Sequence, residues 1–125
     1  MDRRKLLQYA LDQFGDEPEY LWSKYPTYCV LRCTVSQKWY AAVMEVPRAR
    51  LELPGGGMVD ILDVKCDPIL LGSLLGTPGF LPAYHMSKSS WVTILLDGTV
   101  PAGTVQELLH ISRSLACKPP ARKRK

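Results

Sequence analysis

Apolar and polar residues alternate with a period of two along most of the middle of the chain. Two such runs, at 28–34 and 38–46, flank the short link VSQ, and two more, at 80–86 and 91–96, flank the polar link SKSS. Short polar links between β-branched and aromatic runs are typical of hairpins. The pattern therefore predicts antiparallel hairpins at about 28–46 and 80–96, with one further strand at 60–66.

Apolar residues follow a helical spacing instead at the two ends of the chain and once between the hairpins. The spacing predicts helices near 2–14, 67–75 and 101–116. Asp2 and Asp67 stand where a helix N-cap is expected, and Pro68 occupies a first helical position that suits proline. Gly15 is placed to end the first helix.

The predicted order of elements is α, β, β, β, α, β, β, α. A mainly antiparallel sheet with helices on one side is an α+β fold. A chain of 125 residues has room for one domain of common size. We therefore predict a single α+β domain over residues 1–117, built from two hairpins, a further strand, terminal helices and a short central helix.

The basic charge of the chain is concentrated at its C-terminus. Residues 118–125 hold five of the 16 basic side chains, which leaves 11 basic and 12 acidic side chains in the rest. A segment of this composition buries little apolar surface, so a disordered basic tail is predicted. It could attract a polyanion through charge alone, or act as a solubilising end with no dedicated partner.

The N-terminus is charged and has no small-residue cleavage site, so a signal peptide is not expected. No apolar run approaches the roughly 20 residues that a membrane span needs. These features predict a cytoplasmic protein. Its four cysteines are then expected to be reduced thiols.

No group of residues has the spacing of a metal centre or a catalytic motif. Cys29 and Cys33 lie about 13 Å apart if the segment is a strand, too far to chelate one ion directly. There is no Gly-x-Ser-x-Gly element. We therefore expect no metal, no cofactor and no enzymatic activity.

Four stretches carry a family resemblance. YHMSKxxW at 84–91 is followed by TxxLDGTVP at 93–101, with VKCDP at 64–68 and the basic and aromatic hairpin at 30–42 upstream. Together they resemble the YjbR-like (MmcQ/YjbR) family. The resemblance implies a small cytoplasmic α/β protein with a double-wing DNA-binding architecture, and a role that includes transcriptional regulation.

Under that resemblance the hairpin tips are the candidate wings that contact phosphates. Lys38 and Lys88 supply charge, and His85 is expected near Trp91 across the second turn. In the tail the candidate residues are Arg122, Lys123, Arg124 and Lys125. Binding is expected to be weak and largely independent of sequence, by a protein that is a monomer. The period of two places Trp91 and Leu95 on one face of a strand, and we predict that both belong to the core and that Lys88 is exposed. In the alternative interpretation the hairpin tip contacts no phosphate: Trp91 is core, His85 bonds to the turn and Lys88 is merely solvated.

Two other functions stay open at this point. The aromatic connector around Tyr20, Leu21 and Trp22 is compatible with a protein-interaction or adaptor domain that does not bind nucleic acid. A pocket between hairpin and helix is compatible with a small-ligand-binding domain.

Overall fold

The computed structural model of the chain describes residues 1–118. Its helices are α1 (Arg3–Phe14), α2 (Pro68–Leu74) and α3 (Ala102–Cys117), and a 3-10 turn covers Arg48–Leu51. Its strands are β1 (Cys29–Arg32), β2 (Trp39–Pro47), β3 (Met58–Lys65), β4 (Phe80–Pro82) and β5 (Trp91–Leu95). The predicted α+β fold class and order of elements are confirmed.

The five strands form one antiparallel sheet in the order β1-β2-β3-β5-β4. The two predicted hairpins stand at the two sides of the sheet, and β3 joins them by pairing with β2 and β5. The register shifts by one residue in the first hairpin, where Leu31 faces Ala41 but Arg32 faces Trp39. This bulge turns the side chain of Tyr40 into the core.

The two faces of the sheet are covered differently. The helices pack on one face, where α1, α2 and α3 bury their apolar side chains against strand residues such as Val43, Leu62 and Ile94. The other face has its own apolar cluster, covered by loop residues. We call it the open face, because within residues 1–118 its cluster contains no residue of an α-helix.

The predicted caps are confirmed. The Asp2 carboxylate accepts the amide of Lys5 at 2.8 Å, and the Asp67 carboxylate accepts the amide of Leu70 at 2.9 Å. Gly15 ends α1 with a left-handed φ of 72°, a conformation that glycine adopts without a steric penalty. Local sequence therefore sets where two of the three helices begin.

The first strand of the second hairpin was predicted too long. β4 ends at Pro82, and the strand does not continue to Met86. The reason is that the amide of Tyr84 donates to the Thr93 hydroxyl at 2.9 Å instead of to a strand carbonyl. Residues 83–90 form a loop, in which His85 has a left-handed φ of 60°.

A buried polar cluster holds α1 and α3 to the sheet. The carboxylate of Asp16 accepts the Tyr40 hydroxyl at 2.6 Å and the Arg113 guanidinium at 2.8 Å. Burial, followed by the hydrogen bond to Asp16, raises the pKa of Tyr40 well above its usual range. Tyr40 therefore stays neutral and donates to Asp16.

The expectation of four reduced cysteines is wrong for two of them. Cys33, just after β1, and Cys117, the last residue of α3, form a disulfide across a sequence separation of 84 residues. The pairing follows from packing, since α3 runs along β2 and β3 and ends beside the first turn, where Ser36 donates to the Ala116 carbonyl. Cys29 and Cys66 are buried free thiols.

Replacing Arg113 with Met should lower the free energy of unfolding by about 3 kcal/mol, because it leaves the Asp16 carboxylate buried without its charged partner. Urea denaturation measures the loss. The matched control is Arg32→Met, which breaks the more exposed pair with Glu19 and should cost less than about 1 kcal/mol. Equal losses would show that the Asp16 cluster does not hold the helices.

Alkylation of the denatured protein should label two thiols before reduction and four after it. Intact mass after alkylation counts them. In Cys117→Ser the number before reduction should rise to three, because Cys33 loses its partner. Four labelled thiols in the unreduced wild-type protein would contradict the pairing.

Candidate functional site

A cavity of about 290 Å³ opens on the open face of the sheet. We call it the aromatic cavity. Its walls come from the connector between α1 and β1, from the start of β1, from β2 and from the loop 83–90. The lining residues are Trp22, Tyr25, Tyr28, Cys29, Trp39, Ala42, Met44, His85 and Met86. It therefore joins the first hairpin to the loop of the second.

The aromatic rings of the cavity pack against one another, two pairs edge to face and one pair stacked. The Trp22 ring meets Trp39 at 76° and Tyr28 at 71°, with centroids 5.7 and 6.2 Å apart. Tyr25 stacks on Tyr28 at 4.8 Å. Edge-to-face pairs are a preferred arrangement of aromatic rings, so the walls support each other. Tyr25 is 52% exposed, which leaves it accessible at the rim.

Asp63 lies in the sheet beside the cavity. It is fully buried in β3, between its register partners Ala42 and Thr93. Oδ1 accepts the Thr93 hydroxyl at 2.5 Å, and the Thr93 oxygen accepts the Tyr84 amide. Oδ2 has no hydrogen-bond partner within the described residues. This chain of contacts attaches the loop 83–90 to the sheet.

Burial raises the pKa of Asp63 to about 7. The hydrogen bond from Thr93 and the positive charge of Lys88 act in the opposite direction but do not cancel it. A buried carboxyl group without a full set of partners is more stable when protonated. The carboxyl group of Asp63 therefore changes its charge near neutral pH.

The loop 83–90 carries two of the predicted site residues. Lys88 is exposed, as predicted, but its ammonium turns back and donates to the Ala83 carbonyl at 2.9 Å. The His85 ring lies 4.0 Å from the Tyr84 ring and lines the aromatic cavity. The hydrogen bond between His85 and the turn, which belongs to the alternative interpretation, is absent from the hydrogen bonds of residues 1–118.

Sheet topology brings both hairpin turns to one edge. Trp39, Lys65 and Trp91 are the corresponding strand ends, so the turn 33–38 and the loop 83–90 lie at the same side. The C-terminus of α3 reaches this side too, through the Cys33–Cys117 disulfide. We call this side the lysine edge, after four residues: Lys38, Lys65, Lys88 and Lys118.

The lysine edge unites the predicted site residues of the folded part. Lys38 precedes Trp39 of the cavity wall, and Lys88 follows the cavity residue Met86 by two positions. The predicted tail residues Arg122, Lys123, Arg124 and Lys125 lie outside the described residues.

Trp91 and Leu95 are buried, as predicted, at 8% and 7% exposure. They lie on the open face with Thr93, and the Lys65 ammonium lies 5.5 Å from the centre of the Trp91 ring. Sequence reasoning did not find Asp63 or the cavity as part of a site. The signal that could have found the cavity is the density of aromatic residues in the connector, which the sequence analysis related to a protein-interaction domain instead.

Two further observations concern the described residues. No three His, Cys, Asp or Glu side chains among residues 1–118 are grouped so that they would hold a metal ion. Within the same range, no helix combines the length and apolar character required for a membrane span.

The YjbR family model matches residues 11–115. This range contains all five strands and most of the chain that forms the aromatic cavity and the lysine edge. The chain therefore belongs to the YjbR family, which agrees with the resemblance found in the sequence motifs.

Relatives and solved structures are similar to the chain over most of its length. The chain is 38% identical over 112 residues to the uncharacterized protein YyaQ of Bacillus subtilis, covering 90% of this chain and 95% of that protein. The crystal structure of a Pseudomonas syringae protein matches with a TM-score of 0.90 and 38% identity, over 93% of this chain and 99% of the other. Protein DR2400 of Deinococcus radiodurans matches with a TM-score of 0.71 and 25% identity, over 98% and 84% of the two chains.

Asp63→Asn should remove a pH dependence of stability. Because the folded-state pKa of Asp63 is raised above the unfolded value near 3.8, the folded state binds the proton more tightly. Wild-type stability should therefore fall as the pH rises from about 4 to 7, by on the order of 4 kcal/mol at most, and level off above.

The asparagine amide mimics the protonated acid, so the two proteins should be similarly stable at or below pH 4 and the variant more stable near pH 8. Denaturant titrations at the two pH values make the comparison. Asp60→Asn, on the same strand but partly exposed, controls for loss of a charge. A stability difference between the wild-type protein and Asp63→Asn that is the same at both pH values would show that folding does not raise the pKa of Asp63.

Proposed function

We propose that this YjbR-family protein binds nucleic acid through its phosphate backbone, in the manner of a DNA-binding protein with two wings. The contacts are made by the two hairpin turns at the lysine edge and by the basic segment 118–125. The proposed role is nucleic-acid binding and not catalysis. Regulation of transcription in the cytoplasm is one process that this binding would serve. A monomer is sufficient, because both turns belong to one chain.

One observation supports this proposal above all others. The fold gathers the two hairpin turns and the end of α3 at one edge, although they are far apart in sequence. The basic segment is thereby attached to the edge that already presents Lys38 and Lys88. Clustered lysines favour phosphate binding, because each contact releases condensed counterions.

The charges on the rest of the protein favour nucleic-acid binding that is weak and largely independent of sequence. Acidic and basic side chains balance over the folded body, and the Asp16 and Glu19 carboxylates are already paired with arginines. Lys88 has to leave the Ala83 carbonyl before its ammonium can meet a phosphate. Few side chains at the turns can reach base edges, so discrimination between sequences should be small.

A second candidate is a protein-interaction domain. It is supported by the connector, where Tyr20 and Leu21 are 55% and 48% exposed. Neighbouring exposed apolar side chains are typical of a docking surface for another protein. This candidate becomes the better one if nucleic acid does not bind at low salt.

Deleting residues 118–125 should remove most of the affinity for a labelled duplex and flatten its salt dependence. The full chain should show a slope of log affinity against log salt of roughly −0.9 for each duplex phosphate contacted. Fluorescence anisotropy at a series of salt concentrations measures both quantities. The thermal midpoint should hardly change.

Within the full chain, the double variant Lys38→Gln, Lys88→Gln should reduce the size of that slope by up to about 2, one contact for each lysine. Lys5→Gln is the matched control, because Lys5 is an exposed lysine on α1. The start of this helix lies at the other end of β3 from Lys65, since Arg3 is paired with Asp60 there. If Lys5→Gln changed the slope as much as the double variant does, the lysine edge would have no special role in binding. A truncated protein that keeps full affinity and prefers one sequence would show that the turns themselves read bases.

A further inference from the structure

The aromatic cavity has the properties of a site for one flat ring. At about 290 Å³ it lies at the low end of the range for small-molecule sites, roughly 300–1,000 Å³. Two tryptophans and two tyrosines form its walls, and two methionines, Met44 and Met86, adapt to the shape of a guest. It is therefore large enough for a heteroaromatic ring system and too small for an extended ligand.

The charges around the aromatic cavity indicate that the guest is not a cation. Lys38 directly precedes the lining residue Trp39, and Lys88 follows the lining residue Met86 by two positions, so both lie in segments that form the walls. Burial raises the pKa of Tyr28, and the positive charge of Arg50 opposes that rise, which places a further cation near the cavity. A methylated ammonium would be repelled by these neighbours, whereas a ring that carries phosphate would be attracted.

We propose that the aromatic cavity accepts an unpaired base of a nucleic acid strand whose phosphates follow the lysine edge. The proposal rests on the function proposed above and names the form of nucleic acid that the site prefers. Aromatic walls beside a positively charged track are the arrangement with which proteins bind single strands. A base within a duplex is stacked on its neighbours and does not enter a cavity of this shape.

His85 and the loop 83–90 link the two parts of this site. The His85 ring lines the aromatic cavity, and Lys88 lies three residues further on in the same loop. The loop is attached to the sheet through Tyr84, Thr93 and Asp63. A base in the cavity and a phosphate at Lys88 are thus held by one short segment with a fixed anchor.

The test uses the full chain and compares a labelled single strand with a duplex of the same sequence at one salt concentration. The wild-type protein should bind the single strand more tightly. Tyr25→Ala should weaken single-strand binding by roughly fivefold to a hundredfold, the range for loss of one stacked base, ~1–3 kcal/mol. Duplex binding should change less than twofold, because phosphate contacts stay in place.

Tyr20→Ala is the matched control. It removes a tyrosine of similar exposure from the same connector, outside the aromatic cavity, and should leave both affinities unchanged. Tryptophan fluorescence gives a second measurement: the strand should quench Trp22 and Trp39. The double variant Trp22→Phe, Trp39→Phe retains only the buried Trp91 and should lose most of the quenching.

Three results would overturn the proposal. Equal binding of single strand and duplex, unaffected by Tyr25→Ala, would leave phosphate binding intact and exclude the cavity. Absence of binding to either at low salt would remove the proposed function as well. If a free mononucleotide quenches the tryptophan fluorescence at a lower concentration than the strand does, the cavity binds a soluble ligand with the same ring-and-phosphate chemistry instead of a strand.

An RNA strand of the same sequence tests whether the sugar matters. Equal affinity for DNA and RNA supports recognition through the base.

Discussion

The buried carboxyl group of Asp63 is the polar contact on which the geometry of the candidate site depends. Its bond to the Thr93 hydroxyl orients that oxygen toward the Tyr84 amide, and this ends β4 and starts the loop 83–90. A carboxyl group in this position is costly unless it is hydrogen-bonded or protonated. Consequently, the protonation of Asp63 is coupled to the stability of the centre of the sheet. It is also coupled to the positions of His85 and Lys88 in the loop 83–90.

A second constraint is the unequal covering of the two sheet faces. Three helices use one face, and α3 is fixed there by the Ser112 hydroxyl, which accepts the Lys65 amide at 2.8 Å and donates to the Tyr40 carbonyl. The open face is left to loops, so its aromatic rings meet around a cavity instead of a packed helix. The cavity exists because no element among residues 1–118 is available to fill it.

Much of the fold was predictable because its signals are local. The period of two in 38–46 and 91–96 gave β2 and β5 and the buried positions of Trp91 and Leu95, since alternate residues of a strand share a face. Asp2 and Asp67 marked helix starts because a capping side chain bonds to an amide three residues on. The motifs at 84–91 and 93–101 identified the family for the same reason, as contiguous stretches of sequence.

The chain by itself therefore determined its elements, their order, the fold class and the basic charge of its end. Only the tertiary structure decided which distant residues meet. Cys33 and Cys117 pair across 84 residues, Asp63 finds Thr93 across a strand pairing, and Trp22 and Trp39 form a cavity with His85. These contacts depend on strand order and on the path of α3, which arise from the summed packing of the whole core. No short stretch of the sequence contains that information, because each partner's surroundings come from elements far away along the chain.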